Sequence, residues 1–357
     1  MKIIKILKKN NIKANKPRKG YSYFSVAISM VVIGTFAISI YKSAEVVVNK
    51  TQKVATNWQN QGNAQSSNVE EVDKCQGLVI SSLSSDGYSY ETINSRCVVT
   101  LLYDSISDSG GYTRYDLQFP KNTSAQLLIV AGGGGAGGAY DANRGTGGGG
   151  AGGLIYDPAY DINSGTTYEA RVGKGGAGGV TGGRAGSGQQ GVRGSNSIFS
   201  SYIVYGGGGG ARTHNSDNST SNGVSGGSGG GGGDLRGEGA GSSQNNNPAG
   251  YGFGNSGGHS RATYTNGGAG GGGGGAGGRG NDSGGHPTEV GLGGIGKEYD
   301  ISGSVVEYAR GGNGGNGWSG SAGSEDALPN TGNGGSGGGR SSNGGNGGSG
   351  IVIISFE

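Results

Sequence analysis

The sequence predicts a three-part fold: an N-terminal transmembrane and stalk α-helix, a small β-rich region with one disulfide, and a glycine-rich domain of packed polyglycine II helices with short β-strands. Three observations lead there. Tyr21 to Tyr41 (YSYFSVAISMVVIGTFAISIY) runs 21 residues without a charge. The two cysteines, Cys75 and Cys97, lie in a short stretch of strand-like runs. Of the 89 glycines, only seven fall in residues 1–131, leaving 82 for the last 226. That density is several times the roughly 7% of an average protein, and an ordinary globular enzyme does not have it.

Residues 1–20 form a basic leader. Lys2, Lys5, Lys8, Lys9, Lys13, Lys16, Arg18 and Lys19 account for eight of the 27 basic residues, with no acid among them. The rest of the chain is net negative, with 19 basic against 24 acidic residues. The positive total is therefore one terminal cluster without aromatic residues, and nucleic acid is not an expected partner. Residues 21–41 match the roughly 20 apolar residues needed to cross about 30 Å of hydrocarbon. The leader places the N-terminus in the cytoplasm and the C-terminus outside. A cleaved secretory signal peptide is the alternative, but its apolar core is only about 7–15 residues and ends in a small-residue site. Residues 42–68 continue as a helical stalk, with Val46, Val47, Val54 and Trp58 at loose helical spacing.

The junction Arg18, Lys19, Gly20, Tyr21, followed by an apolar helix containing VVIGTFA, resembles the N-terminus of type IV prepilins and pseudopilins. The resemblance implies cleavage by a prepilin peptidase after Gly20, a mature N-terminus at Tyr21, and assembly with other pilin-like subunits at the cell surface or in a pilus. One departure is Ser25, which stands where that family usually has Glu. A plain signal anchor is the competing account of the same segment.

Residues 69–131 make the small β-rich region. In an exported segment Cys75 and Cys97 are expected to pair with each other. Strand-like runs follow at 77–83 (GLVISSL), 97–103 (CVVTLLY), 115–120 (YDLQFP) and 125–131 (AQLLIVA), separated by Ser, Asp and Gly clusters.

Residues 132–357 hold runs such as GGGGAGG, GGAGGGGGGAGG and GGNGGNG, punctuated by LIY (154–156), YEARV (168–172), SIFSSYIVY (197–205), SVVEYA (304–309) and IVIISFE (351–357). A flexible linker would need no such punctuation. The runs exclude α-helix, where each Gly costs about 1 kcal/mol relative to Ala. Left-handed extended helices with about three residues per turn suit them, because their backbone groups are free to bond laterally. Collagen is excluded, since Gly does not recur strictly at every third residue and only six prolines occur.

From about residue 112, the order FPKNTSAQLLIVAGGGGAGG, GGGGAGGLIY, YEARVGKGGAGG, GSNSIFSSYIVYGGGGG, ISGSVVEYARGGNGG and GGSGIVIISFE resembles a glycine-rich domain of bacterial surface proteins and phage tail adhesins. In those adhesins packed glycine helices carry variable loops that contact a receptor. The resemblance implies binding without catalysis.

Chemical motifs are few. LLIVA leading into Gly132, Gly134 and Gly137 imitates a dinucleotide fingerprint, but AYDANRGTGGGGAGG cannot form the helix that would hold a pyrophosphate. Gly291 to Glu298 (GLGGIGKE) approaches a phosphate loop, with Glu298 where a hydroxyl is required. His214, His259 and His286 have no metal-ligand spacing. No catalytic, cofactor or metal residues are expected. Tyr140, Arg144, Arg212, Tyr251, Phe253, Arg261, Tyr264 and Trp318 are the candidate receptor-binding residues, because aromatic and Arg side chains stranded in connections suit carbohydrate or protein surfaces. The same side chains could instead cap the ends of the glycine bundle. The expected function is a cell-surface adhesin or minor pilin-like subunit. Its alternative is a signal-anchored structural envelope protein whose glycine-rich domain is a spacer or assembly module.

Overall fold

A computed structural model describes residues 73–82, 87–140, 144–182, 187–214, 220–234, 236–246, 248–261, 268–318 and 324–357. The chain divides into two units, Met1–Glu71 and Val72–Glu357, and every described residue belongs to the second.

The apolar punctuation forms strands. Ahead of the first glycine run lie β1 (Val79–Ser82), β2 (Tyr88–Ile93), β3 (Arg96–Leu102), β4 (Tyr112–Gln118) and β5 (Thr123–Val130). Between runs come β6 (Leu154–Ile162), β7 (Thr167–Gly173), β8 (Ser197–Phe199), β9 (Tyr202–Val204), and the short β10 (Thr220–Ser221), β11 (Gly233–Asp234) and β12 (Gly252–Phe253). A hairpin of β13 (Lys297–Tyr299) and β14 (Val306–Tyr308) precedes β15 (Ile351–Phe356). Of the two larger sheets, one has the order β12-β6-β5-β15-β3-β2 and the other β1-β4-β7-β8-β9, while β10 pairs with β11 alone, all antiparallel. A two-residue turn at Asn94 and Ser95, with φ of 50° and 62°, joins β2 to β3. Positive φ at both central residues gives the turn that matches strand twist.

The C-terminal strand is the keystone. Ile351 faces Leu102 of β3 on one side and Val130 of β5 on the other, so β15 is paired along both edges. Its side chains alternate between two cores, as a period of two requires. Val352, Ile354 and Phe356 join Tyr115, Leu117, Val172 and Phe199 between the sheets. Ile351 and Ile353 join Leu128, Val130, Leu154, Ala151, Ala276, Ile301 and Tyr308 on the opposite face. With both faces covered the strand reads as an apolar run interrupted only by Ser355 rather than as an alternation. Cys97, fully buried on β3, is bonded to Cys75, 22 positions away. Closing a loop of that length stabilises the fold by roughly 3 kcal/mol.

Beyond the strands, the glycine segments extend as continuations of them. Segment 132–139 follows β5 and bonds laterally with a three-residue repeat. Its N–H groups at 132, 135 and 138 donate to Ser195, Val192 and Gln189; those at 133, 136 and 139 to Gly348, Gly345 and Ser342; those at 134 and 137 to Gly150 and Gly147. Its carbonyls accept in the same rotation from Gly207, Gly210 and Thr213, from Gly176, Gly179 and Gly182, and from Gly335 and Gly338. Six segments thus surround one, and its backbone groups are satisfied without a sheet ladder. A Cβ built on Gly133, Gly134 or Gly135 would overlap the carbonyl oxygen of Asn333, Gly208 or Ala177. Glycine is required there by close approach.

The helical part of the expected fold is corrected. Among the described residues there is no α-helix, and none is long and apolar enough to cross a membrane; the regular structure is antiparallel sheet. The glycine runs are extended segments joined by lateral backbone bonds, because glycine offers no side chain to cover an intrasegment ladder and neighbouring segments satisfy its amides. Among the described residues nothing supplies the membrane-spanning or pilin-like helix that the expectation called for. The residues on which they rested, namely the leader, Gly20, Tyr21, the segment 21–41 and the stalk 42–68, lie outside the described residues. The disulfide between Cys75 and Cys97 is present.

Candidate functional site

Segment 145–153 orders the glycine array from end to end. Near the sheets, Gly153 donates to Tyr205 and Gly152 to Gly332. At the other end Gly145 donates to Gly268, Thr146 to Gly338, and Gly315 donates back to Thr146. Thr146 is fully buried, its Oγ1 2.8 Å from the Gly137 carbonyl and 3.0 Å from that of Gly338. The residues beyond this level make up a distal end, remote from the two larger sheets.

Most of the described candidate residues gather there. The Tyr140 N–H donates to Thr213 Oγ1, and Arg144 Nη1 donates to the His214 carbonyl at 3.4 Å. Arg212 lies half-buried between Ala211 and Thr213, whose N–H groups donate to Gly231 and Gly138. Trp318 is 53% exposed and meets the ring of His286 edge-on at 4.8 Å. Its own N–H donates to Asn316 Oδ1, and the neighbouring Gly317 N–H to the Pro287 carbonyl. Arg261 follows Ser260, whose Oγ donates to the carbonyl of Ala269, one residue from the distal Gly268.

Two candidates do not join them. Phe253 is on β12, where Gly252 faces Ile155 of β6, and Lys297 Nζ stands 4.0 Å above its ring. Tyr251 accepts from the Tyr156 N–H through its carbonyl. Both belong to the sheet end. Tyr264 lies outside the described residues.

The distal end also holds side chains that sequence patterning passes over. Asp282 accepts the His259 N–H at 2.9 Å on Oδ1, Arg279 Nη2 at 2.7 Å on the same oxygen, and Arg261 through Nε at 3.0 Å on Oδ2. Burial raises the carboxyl's pKa, but these donors outweigh it and hold Asp282 down at about 2. Arg236, Glu238, His259, Ser260 and Arg261 line a groove of about 480 Å³. His259 looks isolated in sequence; only the pairing of its segment with 237–240 and 280–283 brings these charges together.

Asparagine is a second overlooked signal. Asn343 and Asn346, three residues apart, accept the N–H groups of Thr181 and Gly178 through Oδ1 at 2.8 and 2.9 Å. Asn313 does the same for Gly293, and Asn333 for Arg310. At the rim of the array, a side-chain amide replaces the missing lateral neighbour.

Among the described residues no group of three or more His, Cys, Asp or Glu is placed to hold a metal ion. A family model described as a glycine-rich domain matches residues 108–357. The match gives no support to the prepilin resemblance, whose residues precede it. No curated protein matches the chain.

Proposed function

The chain belongs to the glycine-rich domain family, and we propose that its matched region, 108–357, is the receptor-binding part of a surface adhesin that presents its distal end to a carbohydrate or protein receptor without catalysis. The observation that carries this reading is the concentration of Arg144, Arg212, Arg261, His286 and Trp318 at one end of a densely cross-bonded scaffold. The array satisfies its backbone internally, so the side chains at its end are the chemistry it offers outward. Aromatic and Arg groups held by a regular scaffold bind with little ordering cost.

The test uses beads coated with the full chain, scored on an immobilised glycan panel and on intact bacterial cells. Combined Tyr140→Ala, Arg144→Ala and Trp318→Ala substitution should lower attachment at least tenfold, a loss of about 1.4 kcal/mol in the attachment equilibrium. Paired Tyr251→Ala and Phe253→Ala substitution at the sheet end should leave attachment within about twofold, the range of surface changes away from a contact. Attachment unchanged by the distal variants, with circular dichroism unaltered, would favour the spacer or assembly role instead.

A further inference from the structure

We infer that the groove of Arg236, Glu238, His259, Ser260 and Arg261 binds an acidic sugar, its carboxylate held by the guanidinium and imidazole groups and a ring hydroxyl donated to Glu238; the inference rests on the receptor-binding reading above and names the chemistry of one of its contacts.

Four features of the groove converge on that ligand. Arg236 has φ of 59°, in the left-handed region that side-chain-bearing residues seldom adopt, directly before Gly237. A glycine would sit there without strain, so the Arg side chain is held at this turn at a backbone cost. Among the described residues no hydrogen bond or ion pair engages its guanidinium. Next, Asp282 acts as a bracket. It takes Arg261 through Nε and Nη2 and leaves Nη1 of a side chain that is 65% exposed, while its other oxygen is occupied by His259 N–H and Arg279. The carboxylate thus orients Arg261 while its own charge is met by two guanidiniums, and the outward balance stays positive. Third, His259 Nδ1 accepts the Gly239 N–H at 3.3 Å, which leaves Nε2 as the ring's donor. Fourth, Glu238 adds the one acceptor carboxylate among the described residues of the lining.

Donors from two guanidiniums and an imidazole beside one carboxylate describe a ligand that presents one negative charge per sugar ring together with adjacent hydroxyls. A doubly charged phosphate would be opposed by Glu238. Among the described residues the lining has no aliphatic or aromatic hydrocarbon residue, which disfavours an apolar peptide. The volume is in the range of small-ligand sites, about 300–1,000 Å³.

The experiment is calorimetric titration of the full chain with tri-galacturonate and with its fully methyl-esterified form, which keeps the hydroxyls and removes the charge. The acid should bind and the ester should bind at least tenfold more weakly. Arg236→Gln, at an exposed turn, should weaken the acid at least tenfold, and Arg236→Gly should do the same while relieving the strained φ, which separates loss of the guanidinium from damage to the fold. Equal binding of acid and ester, unchanged binding in both Arg236 variants, or no binding of the acid would each overturn the inference. Tri-galacturonate is also added to the bead assay. Attachment that persists with neither binding nor competition removes the acidic-sugar site and leaves the adhesin reading standing. Binding of the acid by a chain that attaches to none of the surfaces retains the groove and removes the adhesive role.

Discussion

The sheet end and the glycine end are stabilised by opposite means. Between the sheets, Phe119, Phe356, Tyr168, Phe199 and Tyr160 pack largely edge-to-face with centroids 5.2–6.4 Å apart, and the order comes from side-chain volume leaving water. In the array nearly all of the side chain is missing, and order comes from backbone groups that find partners on six sides. The difference teaches where each half is vulnerable. A core of side chains fails when volume is removed, and an array of backbones fails when volume is added.

The largest expected effect follows directly. Gly149 donates to Gly335 and accepts from Gly312, and a Cβ there would overlap the Gly134 carbonyl oxygen. Gly149→Val should cost more than about 4 kcal/mol in chemical denaturation, the exceptional range for one substitution. If it costs less than a surface change, the array is not packed as described. Deletion in the other half should rank next. Phe356 is fully buried with its ring centroid 5.2 Å from that of Phe119, and Phe356→Ala should cost about 3–5 kcal/mol by the same measurement. The smallest effect belongs to the rim: Asn346→Ala removes one exposed side-chain acceptor for Gly178 and should cost about 1 kcal/mol or less. A rim loss as large as that of Gly149→Val would erase the distinction between interior and edge.

How far the sequence discloses this molecule depends on the range of the interaction. The runs CVVTLLY, AQLLIVA and IVIISFE are strands, because local apolar, β-branched stretches bounded by glycine point to little else. Strand β2 (YSYETI) is missed, since Tyr, Ser and Glu on an edge strand with no buried residue carry no apolar alternation; the turn at Asn94 and Ser95 was its available signal. That β15 lies between β3 and β5 is illegible, as no local pattern specifies a partner some 250 residues away. The helical part of the expectation rested on residues 21–68, which lie outside the described residues, and no helix occurs among those described. In the glycine runs, composition shows that backbones approach closely but not which segments meet. Phase is more informative. Interior segments such as 270–275 are all glycine, whereas outer segments carry a side chain at every third position, as at Leu292 and Ile295 or Asn343 and Asn346. The candidate site was legible in kind, as Arg and aromatic residues in connections. Its division between Trp318 at the distal end and Tyr251 at the sheet end required the pairing of segments, as did the groove around Arg236.

The central claim is that the glycine runs are held by lateral backbone bonds as firmly as the strands are held by theirs. Native-state hydrogen exchange on the full chain, followed by mass spectrometry of its peptides, tests it most directly. Peptides covering 132–139, 145–153, 206–211 and 270–275 should be protected to the level of those covering β5 and β15, because their N–H groups are bonded to buried carbonyls. Exchange of the glycine peptides at the rate of an unstructured chain, while β5 and β15 remain protected, would contradict the account.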